Sequence, residues 1–131
     1  MRLLVIGGTR FVGKHLVPLA RAAGHEVTVF HRGSAGCAGE AGVEHVHGDR
    51  EEDLGLLAGR AWDAALDTCG YVPRVVRASA EALAGSVDRY VFVSSISVYR
   101  EFRAGMAEND DVARLADPPP WRRSPQRPTE A

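Results

Sequence analysis

Blocks of apolar residues with two different spacings alternate along this chain. Leu3, Leu4, Val5 and Ile6 form a short unbroken apolar run, the pattern of a strand buried on both faces. The run stops at Gly7-Gly8. Over residues 11–23 the apolar positions then recur at helical spacing, with Phe11, Leu16, Leu19, Ala20 and Ala23 assigned to one face and Gly24 as the stop. Residues 26–30 are rich in β-branched side chains and predict a second strand. A glycine-rich loop covers 33–42, a short third strand 43–47, and a short helix 51–58 capped by Asp49 or its turn. Residues 62–68 predict a fourth strand. A helix is expected from Pro73 to about residue 84, with proline tolerated in its first turn, and a fifth strand over 89–93. Strand and helix in strict alternation imply right-handed βαβ units, hence an α/β fold with a doubly wound parallel sheet.

After Tyr99 this patterning decays. Residues 107–117 are acidic and polar, and from Pro118 the composition changes abruptly: five of the seven prolines lie in 118–131. Such a segment suits neither a central strand nor a helix interior. The expected organisation is one folded domain over 1–117 and a disordered Pro/Arg-rich tail over 118–131.

Strand, glycine turn and helix in that order give the first glycines a chemical meaning. Backbone N–H groups at the turn and the positive end of the following helix face whatever lies above them, which suits a pyrophosphate. Gly7 permits the tight turn and Gly13 lets the helix approach the sheet. Where a third glycine is common, this chain has Arg10, which adds a cation.

Composition narrows the function classes. The 131 residues are enough for one core, and 45% hydrophobic with 25% charged residues is ordinary for a soluble globular protein. A net charge of −1 argues against nucleic-acid binding through a broad basic surface, although Arg100, Arg103, Arg114, Arg122, Arg123 and Arg127 form a local basic group. No apolar run reaches membrane-spanning length, so no membrane partner is expected. Cys37 and Cys69 lack metal-ligand spacing, so no metal is expected. With nothing like an export signal at the start, reduced thiols and a cytoplasmic location are expected.

Four motifs in order, Gly7-Gly8-Thr9-Arg10-Phe11-Val12-Gly13, Gly48-Asp49, Cys69-Gly70 and Val91-Phe92-Val93-Ser94-Ser95-Ile96-Ser97-Val98-Tyr99, resemble the extended short-chain dehydrogenase/reductases. These are NAD(P)-dependent epimerases and dehydratases of sugar nucleotides. The arginine in the glycine turn is most similar to an atypical branch that includes the chloroplast stem-loop-binding proteins. The resemblance covers residues 1 to about 117 and implies a Rossmann-like sheet of five strands in the order 3-2-1-4-5, forming the first third to half of a family member. It implies that Gly7, Thr9, Arg10, Phe11, Val12 and Gly13 hold the cofactor phosphates. Asp49 would pair with the adenine amino group, with Arg50 beside it. Cys69 and Gly70 would pass under the ribose and Ser94 would line the cofactor site. Ser95, four residues before Tyr99, would be the catalytic hydroxyl that hydrogen-bonds the reacting oxygen. Read without the family, Asp49 is also a helix cap, and for Ser94 and Ser95 a strand-end turn with satisfied hydroxyls is the favoured reading.

Two departures follow. At the end of the second strand stand Phe30-His31-Arg32, with no carboxylate to hold ribose hydroxyls; Arg32 instead suits a 2′-phosphate, so NADP is expected ahead of NAD. The family also uses Tyr-x-x-x-Lys, in which lysine lowers the tyrosine pKa for acid–base work. Here tyrosines stand only at 71, 90 and 99, and Lys14 is the single lysine. The dyad would fall where the proline-rich tail sits, which suggests a truncated chain, as a reading-frame change near Pro118 would produce. The expected function is the NADP-binding portion of an epimerase/dehydratase-like oxidoreductase working by reversible hydride transfer, inactive alone. The alternatives are a non-catalytic NADP-sensing module and an RNA-associated relative. A fifth strand without later neighbours would leave an apolar edge open to self-association.

Overall fold

The computed structural model describes residues 1–33 and 41–114. Most of the glycine-rich loop and the whole proline-rich segment 118–131 therefore lie outside the described residues. The described chain groups into two compact units, the first Met1–Ser94 and the second starting at Ser95.

In the first unit the strands are β1 (Arg2–Ile6), β2 (Glu26–His31), β3 (Val43–His47), β4 (Trp62–Asp67) and β5 (Val87–Phe92). The helices are α1 (Val12–Ala22) and α2 (Pro73–Leu83), with a single 3-10 turn at Leu54–Leu57. All strand pairs are parallel and their order is β3-β2-β1-β4-β5, as expected. Order reverses beside β1: the chain goes first to β2 on one side and later to β4 on the other. A ligand crevice belongs outside the carboxyl ends of those strands.

Side-chain alternation divides the core into two layers. Under α1 lie Leu3, Val5, Val27, Val29 and Ala64 with Val17 and Ala20. On the opposite face Leu4, Ile6, Phe30 and Ala65 pack with Leu57, Trp62 and Leu83. β1 is buried from Leu3 to Ile6, which is why its apolar run is continuous rather than alternating. β5 pairs only with β4 and leaves Val91 and Phe92 exposed at the sheet edge.

Several local expectations are corrected. The inward face of α1 is Gly13, Val17 and Ala20, with Leu16 partly buried; Leu19 is 68% exposed and Ala23 is also outside. Gly13 sets the phase: it must meet the glycine turn, and Leu19 then falls on the far side. Residues 51–58 form only a 3-10 turn, because Gly55 and Gly59 weaken a full α-helix there. β4 stops at Asp67, β5 begins at Val87, and Phe11 precedes α1 rather than opening it.

The second unit is small among the described residues. It holds a 3-10 helix at Ile96–Val98, an antiparallel bridge between Tyr99 and Val112, and an Arg103–Asp110 ion pair at 2.5 Å.

A methyl group on Gly13 would run into the backbone of Gly8. Gly13→Ala is therefore expected to destabilise by about 1–3 kcal/mol through overpacking, read as a lower urea midpoint at unchanged m-value. Gly55→Ala, where the added atom enters open space on a backbone without positive φ, should move the midpoint much less.

Candidate functional site

The glycine turn between β1 and α1 lies at the carboxyl end of the sheet. Gly7 (φ 97°) and Gly8 (φ 66°) both occupy backbone territory that disfavours side chains. Space is equally restrictive: a Cβ on Gly7 would lie 2.6 Å from Thr68 Oγ1, and one on Gly8 would lie 2.8 Å from a Val29 methyl. The turn is pinned across the order reversal by Thr68, whose hydroxyl donates to the Ile6 carbonyl (2.9 Å) and accepts the Gly8 amide (3.2 Å). The Gly7 amide is used by Phe30 O, and the Gly13 amide by Arg10 O. Among the described residues the amides of Thr9, Arg10 and Phe11 have no acceptor.

Phe11 has φ 42°, the sole positive φ outside glycine among the described residues, and its ring is 85% exposed. No packing accounts for that conformation. Strain of about 1–3 kcal/mol at an exposed residue beside open amides is characteristic of ligand-binding backbone. Arg10 and Val12 are also exposed, and Thr9 is half-buried. Open amides, room bounded by glycines, and the N-terminus of an 11-residue helix together fit a dinucleotide pyrophosphate.

Around this crevice, Asp67 ends β4 fully buried. The Arg50 guanidinium forks onto its two oxygens, both at 2.7 Å, and also donates to Ser79 Oγ on α2 (2.8 Å). The Tyr90 hydroxyl donates to Asp67 at 2.6 Å and the Cys69 amide at 3.2 Å. Burial alone would raise the Asp67 pKa, but hydrogen bonds from Arg50 and Tyr90 and the Arg50 charge overcome it and hold the carboxyl below its usual value. Burial, and then the neighbouring carboxylate, push the Tyr90 phenol up. The Cys69 thiol, 3.4 Å from Arg50, is also raised, mainly by burial.

These contacts give Arg50 a task different from the one the sequence suggests. It is spent on Asp67, and so ties the segment after β3 to β4 and α2. Its neighbour Asp49 is half-buried and accepts the Glu51 amide through Oδ1 (2.8 Å), which is the turn-capping role. Gly70 sits where a Cβ would strike Val76 on α2 and come within 2.6 Å of the Phe92 ring. Arg32 is exposed at the end of β2, and its charge is felt at the Cys69 thiol. Ser94 ends the first unit, exposed. Ser95 belongs to the second unit, where its Oγ accepts the Ser97 amide (3.1 Å), the strand-end turn that local chemistry suggests. Gly8, Thr68, Asp67 and Tyr90 were not singled out from sequence. Gly8 was legible as one of two adjacent glycines, and Asp67 as a charge inside an apolar strand.

This is the crevice of a Rossmann-type dinucleotide-binding protein. The sequence model of the NAD dependent epimerase/dehydratase family matches residues 3–68, half of the chain, and the chain belongs to that family. It is 32% identical over 114 residues to the chloroplast stem-loop binding protein of 41 kDa b of Arabidopsis thaliana, with 75% of this chain and 30% of that protein covered. Among solved structures it is similar to a UDP-galactose 4-epimerase (24% identity, TM-score 0.70, covering 86% of this chain and 45% of that one). It is also similar to the Bordetella bronchiseptica enzyme WbmG, solved with NAD and UDP (19% identity, TM-score 0.72, covering 88% and 44%). The chain thus spans less than half the length of these relatives. Family and crevice geometry support a nicotinamide dinucleotide as the ligand class. No described helix is long and apolar enough to cross a membrane.

Replacing Asp67 with Asn removes the charge that Arg50 faces. The variant is expected to lose about 3–5 kcal/mol in urea unfolding, because a buried guanidinium is left uncompensated. In the parent protein the depressed carboxyl pKa sets the sign of the pH effect. This contribution is complete above about pH 4, the unfolded value, and is lost as pH falls through the lower folded value. Acid unfolding curves of the two proteins should therefore converge as the pH drops.

Proposed function

We propose that this chain is the NADP-binding portion of an epimerase/dehydratase-like oxidoreductase acting on a sugar-nucleotide-type substrate by reversible hydride transfer. The observation that carries the reading is the strained glycine turn with open amides at Thr9, Arg10 and Phe11, placed at the order reversal of a parallel sheet. In this reading Gly7 and Gly13 keep the turn tight and close to the sheet. Thr9, Arg10, Phe11 and Val12 face the pyrophosphate, and Arg10 adds charge. Asp49 receives the adenine amino group on the oxygen its turn leaves free. Cys69, Gly70 and Ser94 line the sugar side, and Ser95 supplies a hydroxyl to the substrate oxygen. When bound, the dinucleotide supplies the hydride chemistry; the residues named here hold and orient it.

Support for NADP over NAD is the exposed Arg32 at the end of β2, with no carboxylate beside it. A second reading, a sensing module that binds NADP without turning it over, rests on the same glycine turn, whose open amides can hold a dinucleotide without any catalytic group. RNA association receives less support: Arg103 of the basic group is already paired with Asp110. We also propose self-association through the β5 edge, where Val91, Phe92 and Val93 remain exposed.

Calorimetric titration of the whole chain is expected to show NADPH binding more tightly than NADH. Arg32→Ala should weaken NADPH by roughly 10–100-fold, the worth of a charge-assisted contact, and leave NADH within about twofold. Equal affinities in the parent would remove the NADP assignment; no binding of either nucleotide would remove the whole reading. Sedimentation should show mass rising with concentration in the parent and less so in Val91→Lys, which places a charge on the open edge.

A further inference from the structure

Three histidines meet at the β2–β3 corner. His31, at the end of β2, is 5% exposed and pairs in register with His47 on β3. His45 lies two residues earlier on β3, on the same face of the sheet. The His31 ring is edge-on to both, with centroids 5.1 Å from His45 and 4.5 Å from His47.

Hydrogen bonding sets the protons. The Gly33 amide donates to His31 Nδ1 at 3.1 Å, so that nitrogen carries a lone pair. The proton of the neutral ring is then on Nε2, which faces His45 Nδ1 at 3.0 Å and donates to it. His45 in turn is protonated at Nε2, a buried atom with no acceptor among the described residues. This chain of donors runs one way and tolerates no additional proton on His31 or His45. A proton on His31 Nδ1 would set two N–H groups against each other across the Gly33 contact.

What His31 holds is the turn after β2. Gly33 is left-handed (φ 78°), and a Cβ on it would lie 3.1 Å from His47 Nδ1, so the turn rests against the two rings. The strand end beneath is fixed separately by the Gly48 amide on His31 O (2.9 Å). Between His31 and Gly33 stands Arg32.

We propose that neutral His31 is a latch on the Arg32–Gly33 turn, released by protonation, so that a positioning residue makes the choice between the two nicotinamide nucleotides depend on pH. The consequence for nucleotide choice rests on the reading of Arg32 given above. Burial, and then the electrostatic influence of the neighbouring His47 and His45 rings, hold His31 below the usual histidine value. β3 brings His45 and His47, and β1 brings only apolar Val5 and Ile6 before Gly7. On α1, Lys14 and His15 are exposed and Arg21 is turned to the His25 carbonyl. With the pKa depressed, the latch is closed at neutral pH and opens as pH falls through the lowered value.

The test uses the whole chain and two variants. His31→Asn keeps an acceptor near the Nδ1 position but does not titrate; His31→Phe keeps the ring shape and removes the acceptor. Imidazole nitrogen shifts in the free protein should report the Nε2-protonated form of His31, and the Gly33 amide resonance should move with the His31 titration. Between about pH 8 and about pH 5.5 the NADPH-over-NADH preference of the parent should fall roughly tenfold further than that of His31→Asn. The Asn variant corrects for protonation of the 2′-phosphate itself, which titrates near pH 6. His31→Phe should show the reduced preference at every pH, with NADH affinity unchanged. A Gly33 amide indifferent to His31 titration, or parallel pH profiles of His31→Asn and a parent that does prefer NADPH, would overturn the latch. If instead Gly33 follows His31 but the parent shows no NADPH preference at any pH, the latch is supported and the Arg32 reading alone falls.

Discussion

The close approach of two backbones, at Gly8 and Gly13, is the constraint on which the rest of the site depends. Nothing larger than hydrogen fits between the first turn of α1 and the turn that leaves β1. That contact brings the helix terminus down onto the sheet, and it leaves the intervening residues to bulge over the strand ends. The bulge carries unpaired amides and the strained Phe11 backbone. Buried amides without partners are unfavourable, so the chain keeps them at the surface, where water or an anion can serve. Thr68 completes the arrangement, since one hydroxyl joins the β1 end to the turn from the neighbouring strand.

A second constraint is electrostatic. A fully buried carboxylate at the end of β4 would be prohibitive alone. Here Asp67 collects a forked guanidinium, a phenol and an amide, and each comes from a different segment. The network therefore works as a junction: the loops after β3 and β4 and the strand β5 meet at one anion, and Arg50 extends the contact to Ser79 on α2. A hydrophobic substitute of the same size could be as stable. It could not join these segments at one crevice, and directional bonding is what a binding site needs.

The layered α/β fold was legible because burial imposes period on sequence. β1 is apolar from Leu3 to Ile6 and β2 is rich in β-branched residues, and both lie within a residue or two of their expected places. Strand order followed from the family resemblance as much as from pattern. What sequence did not carry was phase and partnership. Leu19 looks like a core residue until Gly13 fixes the rotation of α1. Residues 51–58 look helical until Gly55 and Gly59 are allowed their effect. Arg50 looks like part of the cofactor site because it follows Asp49, whereas its partner Asp67 is seventeen residues away and meets it only through the sheet. Long-range pairs of this kind leave no local signature. The histidine corner is similar: 31, 45 and 47 converge only because β2 and β3 are parallel and in register.

The span of the family match has a physical counterpart. Residues 3–68 run from the first buried residue of β1 to Thr68, the hydroxyl that closes the glycine turn. Within that span lie the glycine turn, Arg32 and the histidine corner, Asp49, and the Arg50–Asp67 pair. Ser95 lies in the other unit, where its Oγ accepts the Ser97 amide. The glycine turn is shaped by contacts that fall within the matched span: Gly8 against Gly13, and Thr68 against Ile6 and Gly8. The chain spans less than half the length of its relatives, and those contacts are all made among its own residues.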